Sequence, residues 1–154
     1  MSGGARAAVQ AAAQYTDAMS TAFLTDRYEL TMLAASLADG TAHRPSVFEL
    51  FSRRLSGGRR FGVVAGTGRL MTLLREFRFG EGELRYLRDN GVVDADALRY
   101  LEEYRFTGNI RGYREGELYF PGSPILTVEG TFADAVVLET LALSVLNHDS
   151  AVAT

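Results

Sequence analysis

Tyr28 and Thr31, three residues apart in the run Leu24-Thr-Asp-Arg-Tyr-Glu-Leu-Thr-Met32, put an aromatic ring and a hydroxyl on one face of a helix. Side chains at i and i+3 are neighbours on a helix surface. The pair therefore offers a platform for stacking a flat heteroaromatic ligand, with a hydroxyl to orient it. The competing reading is a half-buried Tyr28 whose hydroxyl is satisfied inside the fold, with Asp26 serving as a helix cap. A second cluster, Arg53, Arg54, Arg59 and Arg60, has no acid within it. Guanidinium forks hold phosphate oxygens bidentately, and charge that sequence neighbours do not cancel favours an anion. A solvated surface loop is the alternative.

Other candidates carry less. Gly66-Thr67-Gly68 could turn backbone amides toward a phosphate, but Met71 stands where the dinucleotide fingerprint has its third Gly, which leaves tight packing as the reason for these glycines. His43 and His148 read as isolated, with no matched acid or nucleophile and hence no catalytic constellation. No spacing makes a metal site. All 16 basic residues are Arg, and the chain lacks Lys, Cys and Trp. A Schiff base, a lipoyl or biotinyl lysine, a thiol nucleophile and Cys-ligated zinc are thereby excluded. The turn pattern of Glu115 to Glu129 looks like a swivelling carrier domain, yet the Lys that such a carrier modifies is missing.

Composition bounds the class. With 47% hydrophobic and 23% charged residues the chain reads as an ordinary soluble globular domain. The net charge of −3, with positive charges spread along the chain, argues against a nucleic-acid partner. Ala7 to Ala13 is weakly apolar and interrupted by Gln10, so no signal peptide is evident. The longest apolar run, Ala135 to Leu146, is broken by Glu139 and Thr140 and falls short of the ~20 residues a membrane span needs. No membrane association is expected, and the cytoplasm is the default location.

The elements that must position these residues follow from pattern. Residues 1–20, rich in Ala, Gly, Ser and Gln, read as a flexible tail. A helix is expected from Asp26 to Asp39, with Asp26 and Glu29 as a capping box and Gly40 as its stop. Pro45 to Leu50 and Phe61 to Ala65 read as strands joined by the Arg-rich loop. Three helices are expected next: Arg69 to Phe77, Glu81 to Asn90 and Asp94 to Tyr104. Ile110–Tyr113, Glu117–Phe120 and Ile125–Glu129 read as a compact meander. Thr131 with Asp134 caps a last helix, Phe132 to Val152, whose apolar residues cover nearly its whole circumference. Such a helix is expected to be too apolar for this chain to bury alone.

Taken in order, Leu-Thr-Asp-x-Tyr-x-Leu-Thr-Met at 24–32, Phe48-x-x-Phe-x-Arg-Arg54, Ala65-Gly66, Phe106-Thr-Gly108, Glu115-Gly through Gly130, and Leu138-Glu-Thr with Asn147-His resemble the amino-terminal region of nicotinate phosphoribosyltransferases. The similarity covers about residues 21–154. It implies an α+β amino-terminal domain of a type II phosphoribosyltransferase over 21–131, followed by 132–154 as the first helix of an α/β barrel missing from this chain. Departures are Ser52 at a usually aromatic position, Leu55-Ser-Gly-Gly58 in place of Asn-Pro-Phe-Gly, and Thr67 in place of a common Leu.

The resemblance implies an enzyme of NAD salvage that joins nicotinate to 5-phosphoribosyl 1-diphosphate, giving nicotinate mononucleotide and pyrophosphate. ATP would be a co-substrate that phosphorylates a barrel His, and Mg2+ would accompany the diphosphate, with no ligand for it identifiable in this chain. Tyr28 would lie at the nicotinate site, reached from a neighbouring subunit of a head-to-tail homodimer, and Thr31 would help fix the base. Arg53 and Arg54 would lie toward the phosphates. Catalytic groups are expected beyond Thr154, so the isolated chain is expected to be inactive. The alternative is a non-catalytic binding or assembly module, or a decayed remnant with the same fold.

Overall fold

Strand pairing decides the architecture of residues 21–154, which the computed structural model describes; the tail reading for 1–20 lies outside the described residues. β5 (Pro124–Thr131) is the centre of a three-stranded antiparallel sheet, flanked by β1 (Pro45–Phe51) and β3 (Asn109–Gly112). Val128 of β5 pairs with Phe48 on one side and Ile110 on the other. One row of the sheet thus presents three apolar side chains to the core, as period-2 alternation requires. β2 (Gly62–Val63) and β4 (Leu118–Tyr119) form a separate two-stranded ladder. The expected meander is therefore corrected. Its middle strand leaves the sheet to pair with β2, and the segment expected as a strand over Phe61–Ala65 keeps only two ladder residues.

The helices follow the capping signals closely. α1 (Arg27–Ala38) starts at Asp26 and ends at Asp39. α2 (Thr67–Glu76), α3 (Glu81–Asp89) and α4 (Ala95–Glu103) come next, and Asp94 accepts the Ala97 N–H at 2.9 Å. α4 packs on α1 and α3, and its apolar side meets a cluster in which the Phe77 ring lies 5.7 Å from both Phe79 and Tyr104, edge to face. Edge-to-face rings gain about 0.5–1.5 kcal/mol beyond their burial. Tyr100 and Tyr104 both donate to Asp134, at its carboxylate and its carbonyl, each at 2.6 Å.

Asp134 lies in α5 (Phe132–Val136), capped by Thr131, whose hydroxyl accepts the Asp134 N–H at 3.2 Å. α6 (Glu139–Ala153) follows after a break at Val137 and Leu138. The expectation of one helix too apolar to bury is corrected here. The break directs α5 onto α1 and the large sheet while α6 runs along α2 and β2. Val136, Val137, Leu138, Leu141, Val145 and Leu146 are all buried within this chain. Leu143 and Val152 are the exposed large apolar side chains of α6.

Gly108 shows how tightly β3 enters the sheet. A Cβ there would stand 2.1 Å from the Glu129 carbonyl oxygen, a backbone atom that cannot step aside. In the first turn of α3, Gly82 has nothing within 4 Å. Gly108→Ala is expected to destabilise the chain by about 1–3 kcal/mol through overpacking, whereas Gly82→Ala should stabilise it by about 0.4–1 kcal/mol by restricting the unfolded chain. Urea midpoints of the two variants against the parent measure both.

Candidate functional site

Tyr28 stands on the outer face of α1 and is 46% exposed. Its hydroxyl donates to Glu139 Oε1 at 2.7 Å, at the first residue of α6. That hydrogen bond, with desolvation and the nearby Glu139 charge, raises the phenol well above its ordinary range. The hydroxyl is satisfied inside the fold, and the ring remains open to solvent. Thr31 is also exposed. Its hydroxyl donates to the Arg27 carbonyl one turn back, at 3.0 Å, so its free capacity is that of an acceptor.

Arg53 and Arg54 leave the end of β1 on a short turn. Ser52 Oγ donates to the Arg54 carbonyl at 2.9 Å, and the Ser52 carbonyl accepts the Gly122 N–H at 2.8 Å, which ties the loop to the Pro121-Gly122 turn. The hydroxyl at this position thus serves the turn that presents the Arg pair. Both guanidinium side chains are exposed and neither forms an ion pair among the described residues. They wall a groove of about 610 Å³ between the loop and α6, with Leu143, Leu146 and Asn147 opposite. No carboxylate side chain lines it. A smaller recess of about 270 Å³ shares Phe51, Arg53 and Leu143 with the groove and extends to Glu139. Glu139 thereby links the two predicted clusters: it holds Tyr28 and shares a recess with Arg53. Neither Tyr28 nor Thr31 lines either cavity.

The amides of Gly66-Thr67-Gly68 do face an anion, and it is the chain's own. Glu115 accepts the Gly66 N–H at 3.1 Å, the Gly68 N–H at 2.9 Å and the Thr67 hydroxyl at 3.0 Å. Those contacts, the Gly68 amide foremost, hold its carboxyl below the usual range. Gly66 has φ +96°, and a Cβ there would meet Asp149 Oδ2 at 2.8 Å, so packing also demands glycine. The reading of His148 as lacking a matched acid is corrected: its Nδ1 lies 2.8 Å from Asp149 Oδ1. Asp149 in turn accepts from Arg69 at 2.9 and 2.6 Å. The Arg69 and His148 contacts hold its carboxyl low. His43 has its ring 6.4 Å from that of Tyr100. Among the described residues no group of three or more His, Cys, Asp or Glu is placed to hold a metal ion.

Sequence reasoning gave Glu29 only a capping role, and the structure gives it a second. Fully buried, it accepts the Asp26 N–H at 3.1 Å through one oxygen. Its other oxygen accepts the Thr140 N–H at 2.9 Å and the Thr140 hydroxyl. One carboxylate thus joins the N-termini of α1 and α6, and so spaces Tyr28 from Glu139. Burial pushes its pKa up to about 7 against the opposing pull of these hydrogen bonds.

Comparison with known proteins points one way. Residues 23–147 match the family model described as the nicotinate phosphoribosyltransferase N-terminal domain. The chain is 60% identical over 131 residues to nicotinate phosphoribosyltransferase pncB1 of Mycobacterium tuberculosis (strain ATCC 25618 / H37Rv), covering 85% of this chain and 29% of that protein. It is 38% identical over 136 residues to pncB2 of the same strain, covering 86% of this chain and 28% of that protein. The crystal structure of human nicotinic acid phosphoribosyltransferase superposes with a TM-score of 0.72 at 31% identity, over 79% of this chain and 25% of that one. The chain thus spans less than a third of the length of the curated relatives it matches.

The Glu29 carboxyl makes stability depend on pH. Its pKa in the fold, about 7, lies above the ordinary 4.5, so the folded state binds the proton more tightly than the unfolded state. Its contribution is fully present below about 4.5 and is lost as pH rises from there through about 7, with a slope of at most about 1.4 kcal/mol per pH unit. In Glu29→Gln this component of the slope should vanish. Urea unfolding at half-unit intervals across that range, comparing slopes and not absolute stabilities, checks it.

Proposed function

Because the chain belongs to the nicotinate phosphoribosyltransferase family through its N-terminal domain, we propose that the protein carrying this domain makes nicotinate mononucleotide. In this reading the ring nitrogen of nicotinate bonds to the anomeric carbon of 5-phosphoribosyl 1-diphosphate as the C–O bond to pyrophosphate breaks. The transition state is oxocarbenium-like, and ATP hydrolysis is coupled to the synthesis. Positioning and charge stabilisation are what a domain of this kind contributes. Tyr28 orients the flat base by stacking, Thr31 offers an acceptor oxygen beside it, and Arg53 with Arg54 binds phosphate oxygens bidentately. The complete protein is taken to act as a homodimer in the cytoplasm.

The observation that carries this reading is the groove walled by Arg53 and Arg54 with no Asp or Glu side chain in its lining, sharing residues with a recess that reaches Glu139, the residue that anchors Tyr28. A base site and a phosphate site of one substrate pair must adjoin, and Glu139, bonded to Tyr28 and lining a recess with Arg53, is what relates the two here. Mg2+ enters this reading as the counter-ion of the diphosphate; the Arg-lined groove has no donor set suited to hold it, since Mg2+ takes oxygen ligands such as carboxylates. The alternative of a non-catalytic assembly module drew on an uncovered apolar helix, and the burial of Leu141, Val145 and Leu146 removes that support.

Tyr28→Ala in a full-length protein that contains this domain should raise the nicotinate KM about two- to tenfold, the value of one stacking contact, while the KM for 5-phosphoribosyl 1-diphosphate stays near that of the parent. Steady-state kinetics with each substrate varied in turn measure the two constants. An unchanged nicotinate KM would retire Tyr28 as a ligand contact.

A further inference from the structure

Four Arg share the loop after β1, and the structure separates them. Arg59 lines the same groove as Arg53 and Arg54, whereas Arg60 is not part of its wall. The separation has a backbone cause. Gly57 and Gly58 have φ of +67° and +73°, consecutive left-handed residues that only glycine adopts without strain. They reverse the chain, and the Arg59 N–H closes the turn onto the Ser56 carbonyl at 3.3 Å. Arg59 is thereby returned to the wall that Arg53 and Arg54 leave by.

The electrostatics of that wall are one-sided. Three guanidinium groups line it, none of them forms an ion pair among the described residues, and no Asp or Glu side chain contributes to the lining. Across the groove stands Asn147, an exposed amide whose side chain has no hydrogen-bond partner among the described residues and can donate to an anion. Outside the loop Arg69, Arg85, Arg99 and Arg111 have carboxylate partners, while Arg27, Arg44, Arg75, Arg78, Arg88, Arg105 and Arg114 form no ion pair among the described residues, so what sets this wall apart is three guanidinium groups lining one cavity. Like charges held together around a cavity repel one another until a counter-charge enters it. Two forks suffice for one phosphate group. A third, on the far side of a reversed loop, suits a second phosphate of the same ligand.

We propose that Arg59 is a further binding residue of this groove, which takes a diphosphate in preference to a monophosphate, with Arg53, Arg54 and Arg59 dividing its two phosphate groups. This rests on reading Arg53 and Arg54 as phosphate ligands and adds the third side chain and the preference. Arg60, its sequence neighbour, has no part in it.

Titration calorimetry of the chain with inorganic pyrophosphate and with orthophosphate tests it, on the parent and on Arg59→Ala, Arg60→Ala and the double variant Arg53→Ala/Arg54→Ala. All four positions are in an exposed loop, and circular dichroism confirms that each variant folds. The parent is expected to bind pyrophosphate at least tenfold more tightly than orthophosphate. Arg59→Ala should lower pyrophosphate affinity about tenfold and leave orthophosphate within about threefold, the loss expected of one charge-assisted contact. Arg60→Ala should change neither by more than about twofold. Equal losses in Arg59→Ala and Arg60→Ala would overturn the inference, since loop charge alone would then account for binding. If Arg59→Ala weakens binding and the double variant does not, the assignment of Arg53 and Arg54 fails separately. A parent that binds neither anion overturns the inference and leaves the Tyr28 kinetics to decide the broader reading.

Discussion

The buried carboxylate of Glu29 is the constraint on which the arrangement of the candidate site depends. A carboxylate removed from water costs several kcal/mol unless its lone pairs are satisfied. Here they are met by the Asp26 amide on one helix and by the Thr140 amide and hydroxyl on the other. Both helices present unsatisfied N–H groups at their starts, so the acid serves two orphan ends at once. That fixes how closely α1 and α6 approach. It also sets Tyr28, one residue before Glu29, against Glu139, one residue before Thr140. The hydrogen bond that orients the exposed ring is the outer neighbour of the one that holds the helices together.

The chain handles its other anion-binding features in opposite ways. At the start of α2 the amides of Gly66 and Gly68 are occupied by Glu115, and Asp149 is shared between Arg69 and His148. Those charges are closed internally and serve to tie β4's approach and α6 to α2. In the groove beside α6 the charges are left open. Internal compensation in one place and its absence in another, within one small domain, separates structural electrostatics from electrostatics available to a ligand. A nucleotide reading of Gly66-Thr67-Gly68 fails for this reason: the amides point correctly, and their anion is already covalently part of the chain.

What was legible in the sequence was local. The capping residues Asp26 and Thr131 marked two helix starts, because a cap acts within four residues of itself. The Arg cluster and the exposed Tyr28 were visible for the same reason. What escaped was non-local. Leu118 and Tyr119 have strand character, but their partners Val63 and Gly62 lie across three helices in sequence, and alternation names no partner. The apolar run after Thr131 looked like one uncovered helix because a break between two buried segments, Val137 and Leu138, carries no Gly or Pro to mark it. Glu29 looked like half of a capping box, since its second partner, Thr140, is 111 residues away. His148 has its acid at the next position, a spacing that a search for distant catalytic partners overlooks.

The open character of the groove and the exposure of Tyr28 bear on what this domain can contribute. Displacement at an anomeric carbon with an oxocarbenium-like transition state is exposed to capture by water, and sites for such chemistry exclude solvent. Here the ring that would stack the base is nearly half exposed, and the guanidinium groups that would hold phosphate stand in a cavity with one open side. A weakly screened charge is worth far more than a hydrated one, so these groups gain strength only when something further covers them. The matched relatives have more than twice this chain's length again beyond the region it matches. The physical division is then between a domain that holds a ring against Glu139 through one buried carboxylate and brings three charges to one groove through one reversed loop, and whatever surface completes the enclosure. The Glu29 clamp serves the ring, and the Gly57-Gly58 reversal serves the charges.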